Sequence, residues 1–563
     1  MKNKNSKVKS ERKTGWSLAL FTFYFALFTF NSPATADPTA GSTEIIGPFI
    51  GHYAPLHPDN LVPQPIRFYG TDLGWSYEHR GKIQFLFGDS NATEADERIQ
   101  ASTGGLYDDA FGSIDLAQWR DPTRITPGNL PPIKLGRNPG TDEVSAINPG
   151  QPLENFKTPI AGFSNSRREF GVFYTSKPRA CQADADCGGD LGCDTGLGSI
   201  GESWNTDKGL TFGCVDGTPG CVADPLTDAA GTPVAGSGLC IARDSSIYAD
   251  THAGRISAIA LKHLVGIRST SDARNYTNTR AWLTNKFANA AARTVSGFDP
   301  LRTADGSRQD YSPAKRTSGK ARVFLWGRPG FVGVAAAGRP LGLYFAYADL
   351  PAGPDFSWTL HYYAGSDAGG IPRFSDNERD AIAVDLDSTR DGMQPEESID
   401  IVDQMSLSWV APLRKWVMFY GGGMVNKPLP PALPHCGVLE LFTGADCTRV
   451  VIGAGAIRMR SADHPWGPWS PPQDVLVGGD PNHAPLEHQY VPGGILRHPA
   501  CIAANCVAHT HTNEASPDEY GFLYGANIIE QWTRPAGDGV DVIWNASTWD
   551  PYRVVLIRTH IRK

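Results

Sequence analysis

The chain of 563 residues has one long apolar run and no surplus of positive charge. No stretch after residue 30 is apolar enough to cross a membrane. Residues 1–36 hold six of the 51 Lys/Arg and one of the 59 Asp/Glu, which leaves 45 bases against 58 acids and a net charge of about −13. A surface this acidic repels phosphate backbones, so the sequence argues against nucleic acid as a partner.

The motifs of several enzyme classes are also absent. The sequence has no G-x-S-x-G elbow, no H-E-x-x-H helix and no phosphate-cradling glycine loop. It therefore gives no support to a serine esterase, a zincin or a P-loop protein. Apolar residues make up 40% of the chain and aromatic residues 10%, which excludes a disordered chain. The 61 glycines follow no strict period, which excludes collagen.

The apolar run is typical of a secretory signal peptide. Residues 1–15 carry six basic side chains, and the small residues 34–36 follow the run Trp16–Phe30. This order predicts cleavage before Asp37 and export of the mature chain as a secreted or periplasmic protein. A retained anchor is the alternative, but fifteen apolar residues are short for a span of about 20. After cleavage we expect no membrane attachment.

The ten cysteines agree with export, because an even number in an exported chain predicts disulfides. Six lie in a Gly- and Asp-rich stretch, residues 181–240, which we interpret as a disulfide-rich insertion. A zinc site is disfavoured because C-x5-C-x5-C lacks the usual ligand spacing. The aspartates of this stretch leave a structural calcium ion as an alternative, although they do not fit the calcium-loop template; no other cofactor is expected. The disulfide candidates are Cys181, Cys187, Cys193, Cys214, Cys221, Cys240, Cys436, Cys447, Cys501 and Cys506.

Helical periodicity is nearly absent, and short apolar or alternating segments bounded by Gly, Pro, Asn and Asp recur instead. Several end on an aromatic residue followed by Gly or a small polar residue, as in FLFGDS, VFLWGRPG and WVMFYGGG. This weak repetition predicts an all-β chain and favours a β-propeller over a sandwich with long loops. The predicted strands are Lys82–Phe87, Glu169–Tyr174, Arg322–Trp326, Gly342–Tyr347, Lys415–Tyr420, Gly455–Arg460, Tyr520–Tyr524, Val540–Trp544 and Tyr552–Arg558.

The expected organisation has one large domain with insertions. A polar, basic stretch at 270–320 is interpreted as a second insertion, with a short helix near Asn285–Arg293. Neither insertion is long enough to bury a substantial core alone. The predicted division is residues 1–36 as signal peptide, 37–65 as N-terminal lead-in and 66–563 as propeller domain, with insertions at 181–240 and 270–320.

Two carboxylates stand at the ends of neighbouring predicted strands. Asp72 lies in GTDLGW, and Asp89 follows Gly88 after the hydrophobic segment KIQFLF. They are seventeen positions apart, which fits two successive strands, so both are expected at the same end of one sheet, with Asp89 projecting into a central cleft. Two carboxylates with separated pKa values are what glycoside hydrolysis needs. The alternative is that both are turn residues bonding their own backbone.

Weaker candidates could bind a sugar beside this pair. Asp109, Arg328 in WGRPG and Gln404 in DQMSLSW are polar residues near strand ends that could reach hydroxyl groups, or cap loops instead. Flat aromatic rings could stack on sugar faces, although core packing is the default role of a tryptophan, and only two or three are expected to face a ligand. These aromatic candidates are Trp75, Trp326, Trp409, Trp532, Trp549 and Tyr552.

A series of segments resembles the bacterial domain-of-unknown-function 4185 family. In chain order from about residue 66 to the C-terminus they are TDLG, FLFGDS, WGRPG, PRFSDNE, DQMSLSW with KWVMFYGGG, RMRSADHPWGPWS and NASTWDPYRVVLIRT. WGPWS and STWDPY are the most specific of these. The resemblance implies a five-bladed β-propeller. It also implies an endo-D-arabinanase-like activity (glycoside hydrolase family 183) on the arabinofuranose chains of mycobacterial-type cell walls.

The same resemblance implies roles for particular residues. Asp72 and Asp89 match the catalytic carboxylates, and the strand from Tyr552 to Arg558 closes the ring beside N-terminal strands. Substrate contacts near the cleft are implied for Asn545, Ser547 and Trp549. Two departures are the Cys-rich stretch 181–240 and Gln404, where Glu is expected, so that no third carboxylate role is implied.

The sequence leaves two main functions open. One is a secreted, monomeric glycoside hydrolase that cuts a furanose-containing polysaccharide, with D-arabinan and endo action expected. The other is a non-catalytic carbohydrate-binding propeller used for adhesion or glycan capture. A protein-binding role of the Cys-rich insertion is a third and weaker alternative. The two main functions differ in whether Asp72 and Asp89 converge on one site.

Overall fold

The computed structural model describes parts of the chain between residues 37 and 563. The described residues are 37–50, 70–91, 109–137, 144, 146–148, 157–165, 167–175, 180–186, 191–194, 200–205, 209–211, 221–224, 238–242, 264–270, 272, 275–283, 286–287, 289–296, 321–328, 343–350, 359–367, 371–384, 386, 402–422, 425–428, 449–452, 456–477, 523–548 and 553–563. The predicted signal peptide lies outside them. Among them, no helix is both long and apolar enough to span a bilayer.

Strand β1 (Thr39–Ile50) comes first, and sheets 1 and 2 follow it. Sheet 1 has the order β2-β3-β4-β5, and sheet 2 the order β6-β7-β14-β15. The strands of sheet 1 are β2 (Gly70–His79), β3 (Lys82–Asn91), β4 (Ala110–Asp115) and β5 (Lys134–Leu135). Those of sheet 2 are β6 (Lys157–Ser164), β7 (Glu169–Thr175), β14 (Leu264–Thr270) and β15 (Thr277–Leu283).

Between β7 and β14 the described residues form two small sheets in the Cys-rich stretch, in the orders β8-β13-β9 and β11-β10-β12. Their strands are β8 (Ala180–Cys181), β9 (Leu191–Asp194), β10 (Ile200–Asn205), β11 (Gly209–Thr211), β12 (Cys221–Asp224) and β13 (Gly238–Ala242). Cys193 lies directly opposite Cys240 in this register. Cys187, Cys214, Cys436, Cys447, Cys501 and Cys506 lie outside the described residues. The disulfides therefore stay a prediction.

Sheets 3, 4 and 5 complete the described fold. Sheet 3 has the order β16-β17-β18-β19-β20, sheet 4 the order β21-β22-β25-β26, and sheet 5 the order β27-β29-β30-β1, with β28 on β29. The strands of sheet 3 are β16 (Asn289–Ser296), β17 (Ala321–Arg328), β18 (Tyr344–Leu350), β19 (His361–Ser366) and β20 (Pro372–Ser375). Those of sheet 4 and its hairpin β23-β24 are β21 (Val402–Val410), β22 (Lys415–Gly422), β23 (Val425–Pro428), β24 (Arg449–Ile452), β25 (Ala456–Ala462) and β26 (Gln473–Val477). Those of sheet 5 are β27 (Leu523–Ile528), β28 (Arg534–Ala536), β29 (Gly539–Thr548) and β30 (Arg553–Arg562).

The first strands of the five sheets form a ring. Strand β2 contacts β6, β6 contacts β16, β16 contacts β21, β21 contacts β27, and β27 contacts β2. The prediction of an all-β, propeller-like chain is confirmed, and each predicted strand overlaps an observed one. In sheet 5 the C-terminal β30 pairs with β1, as the resemblance implies. Since β1 falls in the predicted lead-in 37–65, that segment contains part of a sheet.

Apolar side chains between neighbouring sheets form the core. The middle of strand β3 is a short apolar run whose residues Phe85, Leu86 and Phe87 are fully buried, as expected for a strand segment covered on both faces. One cluster joins sheets 1 and 5, a second joins sheets 3 and 4, and a third joins sheets 4 and 5. In the second cluster the ring centroids of Trp326 and Trp416 are 5.1 Å apart.

The centre of the ring contains polar side chains that join the first strands. The Arg293 guanidinium of β16 donates to the Ser76 carbonyl in β2 at 3.4 Å and to the Ile528 carbonyl in β27 at 3.0 Å. The Asn527 amide of β27 donates to the Gly74 carbonyl of β2 at 2.9 Å. Because these groups are buried, the bonds offset their desolvation and fix the strands around the axis.

The predicted polar insertion at 270–320 is not a separate addition. It supplies β15 to sheet 2 and the ring strand β16 to sheet 3. The short helix predicted near Asn285–Arg293 is wrong, because Asn289–Ser296 pairs with β17 along eight positions. The alanines at 290–292 favour a helix locally, but they are buried in the ring. Small side chains let the first strands approach closely there, so tertiary packing decides the conformation.

Candidate active site

Strands β2 and β3 bring the two predicted carboxylates together. Asp72 lies opposite Gly88 in the antiparallel register, and Asp89 is the next residue of β3. The negative charge of Asp89 acts on Asp72 strongly enough to raise the Asp72 pKa. The two groups therefore share one end of sheet 1, as the sequence predicted.

Glycine at position 88 makes room for Asp72. A Cβ atom on Gly88 would lie 2.6 Å from Oδ1 of Asp72 and 2.7 Å from Cδ1 of Leu73. Both distances are well inside van der Waals contact, so a side chain here would displace the carboxylate. The missing side chain at Gly88 therefore allows a close approach, and Asp72 is the residue that uses the space.

The backbone around the pair departs from regular β geometry. Leu73 has φ 63°, Gly74 has φ 84° and Asp89 has φ 32°, and the β2–β3 register shifts on both sides of the Asp72–Leu73 positions. Such bulges turn side chains out of the regular alternation of a strand. Non-glycine residues in left-handed conformations are costly and concentrate at functional sites.

Tyr524 is a neighbour of Asp72 that sequence reasoning missed. Its hydroxyl donates to Oδ2 of Asp72 at 2.8 Å, while Oδ1 has no hydrogen-bond partner among the residues that the structure describes. Tyr524 is the aromatic end of the FLYGAN segment, and the next residue, Gly525, has φ 63°. An aromatic–glycine strand end was therefore the available signal.

The two carboxyl groups differ in how deeply they are buried. Asp72 is 4% exposed, and Asp89 is only partly buried. Burial, and then the charge of Asp89, raise the Asp72 pKa well above its usual range, and the hydrogen bond from Tyr524 opposes this rise. Chemically, the raised pKa makes Asp72 hold a proton more readily than an ordinary aspartate does, while Asp89 stays closer to solvent.

Gln404 is brought beside this group. A Cβ atom built on Gly525 would lie 3.3 Å from Oε1 of Gln404 and 3.2 Å from Cδ2 of Leu73. The predicted Gln404 thus lies next to the residue that follows Tyr524, within the same end of the ring. It is 6% exposed.

Asp109 and Arg328 are also at strand ends, and both are buried. Asp109 precedes β4, whose first residue Ala110 lies opposite Phe87, the residue before Gly88. Arg328 lies opposite Asn289, the first residue of the ring strand β16. Their proposed contacts with a sugar stay predictions.

The candidate tryptophans that the structure describes are buried in the core, so they are not exposed for stacking on a sugar as the sequence had suggested. Trp75 is buried, and its indole N–H donates to the Pro159 carbonyl at 2.9 Å. Trp326 is fully buried, and its indole N–H donates to the Pro465 carbonyl at 2.7 Å. Trp409 and Trp532 belong to the core as well. These rings fill the space between sheets, while Trp549 and Tyr552 lie outside the described residues.

Asn545 and Ser547 lie close to Asp72 but are not placed to touch a ligand. Both are fully buried. Ser547 Oγ accepts the backbone N–H of Leu73 at 2.5 Å, and the Asn545 amide donates to the Leu73 carbonyl at 2.7 Å. The prediction that they contact substrate is corrected by these bonds, which bind the backbone beside Asp72.

Among the residues that the structure describes, no three His, Cys, Asp or Glu side chains are grouped so that they could hold a metal ion. The structural calcium suggested for the Asp-rich stretch stays a prediction, since residues 187–190 are not described.

No protein-family model and no curated protein matches this sequence. Several solved structures align with it at low identity. A candidate hydrolase from Bacteroides ovatus is 9% identical, with a TM-score of 0.37, over 88% of this chain and 86% of that one. The catalytic domain of the GH62 α-L-arabinofuranosidase of Coprinopsis cinerea is 7% identical, with a TM-score of 0.29, over 93% and 98%.

The sialidase of Trypanosoma rangeli in complex with the inhibitor DANA is 7% identical, with a TM-score of 0.29, over 92% of this chain and 60% of that one. Likenesses as distant as these three carry no argument about the activity of this chain.

Proposed function

We propose that this protein is an exported glycoside hydrolase, built as a five-bladed propeller in which each of the five sheets is one blade. The observation that carries the proposal is the pair of neighbouring carboxylates, Asp72 and Asp89, at one end of sheet 1. Glycosidic bond cleavage by the common mechanism uses one carboxyl group that holds a proton and one that is ionised.

The environments of the pair favour a division of roles. Asp72 is the general acid, because burial and the charge of Asp89 raise its pKa. Asp89 is the base or the nucleophile, because it is only partly buried and therefore closer to solvent. Asp72 protonates the leaving oxygen, and Asp89 either activates a water molecule or attacks the anomeric carbon.

The substrate we propose is a neutral furanose-containing polysaccharide, D-arabinan, cut within the chain. Support comes from the ordered segments that resemble the domain-of-unknown-function 4185 family, and from the acidic surface, which disfavours polyanions. The N-terminal signal sequence supports action outside the cytoplasm. We propose Gln404, which lies next to Gly525, as a residue that contacts a substrate hydroxyl group.

The direct test is incubation of the mature protein, starting at Asp37, with a panel of polysaccharides that includes D-arabinan, L-arabinan and a pyranose polymer. We expect oligosaccharides from D-arabinan, and their anomeric form at early times, read by proton NMR, distinguishes retention from inversion. Binding to arabinan without any released oligosaccharide would instead identify a carbohydrate-binding propeller. Cleavage of the pyranose polymer alone would overturn the substrate class.

A further inference from the structure

We propose that Asn545 and Ser547 are positioning residues that hold Asp72 against Asp89 through the backbone of Leu73. The inference rests on the proposed function for the role of Asp72, but the structural relation between the residues stands on its own. In this arrangement the two carboxylates belong to sheet 1, and residues of sheet 5 fix the position of one of them.

The two contacts take both polar groups of one peptide residue. Leu73 N–H donates to Ser547 Oγ at 2.5 Å, and Leu73 C=O accepts from Asn545 Nδ2 at 2.7 Å. Asn545 and Ser547 both lie on β29 and are fully buried. Water therefore does not compete for these bonds, and losing either partner would leave a buried backbone group unsatisfied.

The bulge explains why side chains are needed here. Register shifts precede and follow the Asp72–Leu73 positions, and Leu73 is in the left-handed region with φ 63°. A leucine keeps this conformation only if its surroundings impose it. Ser547 and Asn545 impose it, and the resulting turn of the backbone sets where the Asp72 side chain goes.

A second contact from sheet 5 acts on the side chain itself. Tyr524 pairs with Ser547 across β27 and β29, and its hydroxyl donates to Oδ2 of Asp72 at 2.8 Å. Sheet 5 therefore holds the Asp72 carboxylate through Tyr524 and the next backbone unit through Ser547. Movement of this region away from β27 and β29 would break both contacts.

Asn545 is fixed in turn by a further buried amide. Asn527 Nδ2 donates to Asn545 Oδ1 at 2.8 Å and to the Gly74 carbonyl at 2.9 Å. The bond to Asn545 Oδ1 orients that amide so that its nitrogen faces Leu73. A continuous network of buried hydrogen bonds from sheet 5 thus binds the backbone of residues 73 and 74.

The test compares Ser547→Ala and Asn545→Ala with the wild type, using two readouts. The first is the Asp72 titration, followed by carbon NMR on protein labelled at aspartate carboxyl groups and assigned with Asp72→Asn. We expect the Asp72 pKa to fall towards its ordinary value in both variants, because a carboxylate that is no longer held becomes more exposed to water and moves away from Asp89. The second is kinetics on D-arabinan, in which kcat should fall about 100-fold with little change in KM, as for a misplaced catalytic group.

Ser470→Ala is the matched control. Ser470 is also a buried serine whose Oγ accepts a backbone N–H, that of Ser461 at 2.9 Å, but it lies beside sheet 4. It should lower the melting temperature to a similar degree and leave the Asp72 titration and kcat unchanged. Ser547→Thr, which keeps the acceptor oxygen, should restore the wild-type titration.

The outcomes separate the two proposals. A wild-type Asp72 titration in both alanine variants, with only a lower melting temperature, would overturn the positioning role. Altered titrations in a protein that cleaves no polysaccharide would support positioning and reject the proposed hydrolase. If Ser547→Ala fails to fold, Asn545→Ala carries the comparison with the wild type and with Ser470→Ala.

Discussion

A buried carboxyl group lies near each end of strand β2: Asp72 of β2 itself at one end, and Glu169 of the neighbouring strand β7 at the other. The two groups differ in their surroundings. Asp72 lies near the start of the strand. Near its other end, Tyr77 donates to Oε1 of Glu169 in sheet 2 at 3.3 Å. About 17 Å of strand separates positions 72 and 77. Burial is the first cause of a raised pKa at both ends: the Asp72 pKa rises well above its usual range, and the Glu169 pKa rises to about 7.

The neighbours distinguish the two ends. Asp72 has a second carboxylate beside it and glycine at the position opposite. Glu169 is contacted by Tyr77, lies near the positive charge of Arg80, and is affected only weakly by the negative charge of Asp272. A raised pKa by itself therefore reports burial. What indicates chemistry at the Asp72 end is that a neighbouring carboxylate is the second cause of the raised pKa, after burial, together with a strained backbone and space at a glycine.

The largest contrast is expected in catalysis. Asp72→Asn and Asp89→Asn should each lower kcat on D-arabinan by at least about 1000-fold, because each removes one of the two carboxyl groups that the reaction needs. Glu169→Gln, at the other end, should change kcat less than threefold. The measurement is the release of reducing ends, with circular dichroism to verify folding. Comparable losses in all three variants would remove the distinction between the two ends.

Two glycines offer a steric version of the same comparison. A Cβ on Gly88 would meet the ends of the Asp72 and Leu73 side chains, whereas a Cβ on Gly162 would lie 2.3 Å from the Tyr77 ring. Gly88→Ala should therefore lower kcat by about 100-fold while costing little stability. Gly162→Ala should lower the free energy of unfolding by about 1–3 kcal/mol, since a buried ring cannot move aside, and leave kcat per folded molecule unchanged.

Denaturant unfolding and specific activity measured on the same samples check this pair. An active, stable Gly88→Ala protein would show that the site tolerates displacement of Asp72.

A third contrast concerns stability against pH. The pKa of Glu169 is about 7 in the folded protein against 4.5 ordinarily. The stability that this shift contributes to the folded state is therefore fully present below pH 4.5 and is lost as pH rises through 7. The loss amounts to at most about 3 kcal/mol. Burial lowers the pKa of His79 to about 4, which acts in the opposite direction. The difference between Glu169→Gln and wild type must therefore be measured, by urea unfolding from pH 4 to 8.

That difference should favour Glu169→Gln increasingly as the pH rises, and it should be small at pH 4. Asp72→Asn should also gain stability over the wild type as pH rises above the ordinary pKa of aspartate, because the Asp72 pKa is raised too. A flat difference for Glu169→Gln would mean that its carboxyl group titrates normally.

The sequence predicts the strands and the Asp72–Asp89 pair because both depend on local patterns. Alternation and apolar runs indicate strands, and strand length places two carboxylates at one end of a hairpin. The ring strand β16 was missed because alanines favour a helix locally and only the packed ring selects a strand. Trp75 and Trp326 were misjudged for a related reason, since a tryptophan near a strand end can face a cleft or a neighbouring sheet.

Long-range contacts explain the remaining differences. Tyr524 is 452 positions from Asp72, and Asn545 is 472 positions from Leu73. No local pattern indicates that sheet 5 closes on sheet 1, so the partners of the Asp72 region appear only in three dimensions.

The smallest effect is expected from removing one hydroxyl group at each end of β2. The hydrogen bond from Tyr524 lowers the Asp72 pKa, so Tyr524→Phe should raise it further. If Asp72 is the general acid, the alkaline limb of the kcat/KM profile should move to higher pH, with less than a tenfold change at the optimum. Tyr77→Phe removes the hydroxyl group that lowers the Glu169 pKa and should leave the kcat/KM profile unchanged. An alkaline limb that moves with Tyr77→Phe, and not with Tyr524→Phe, would reverse the roles of the two ends.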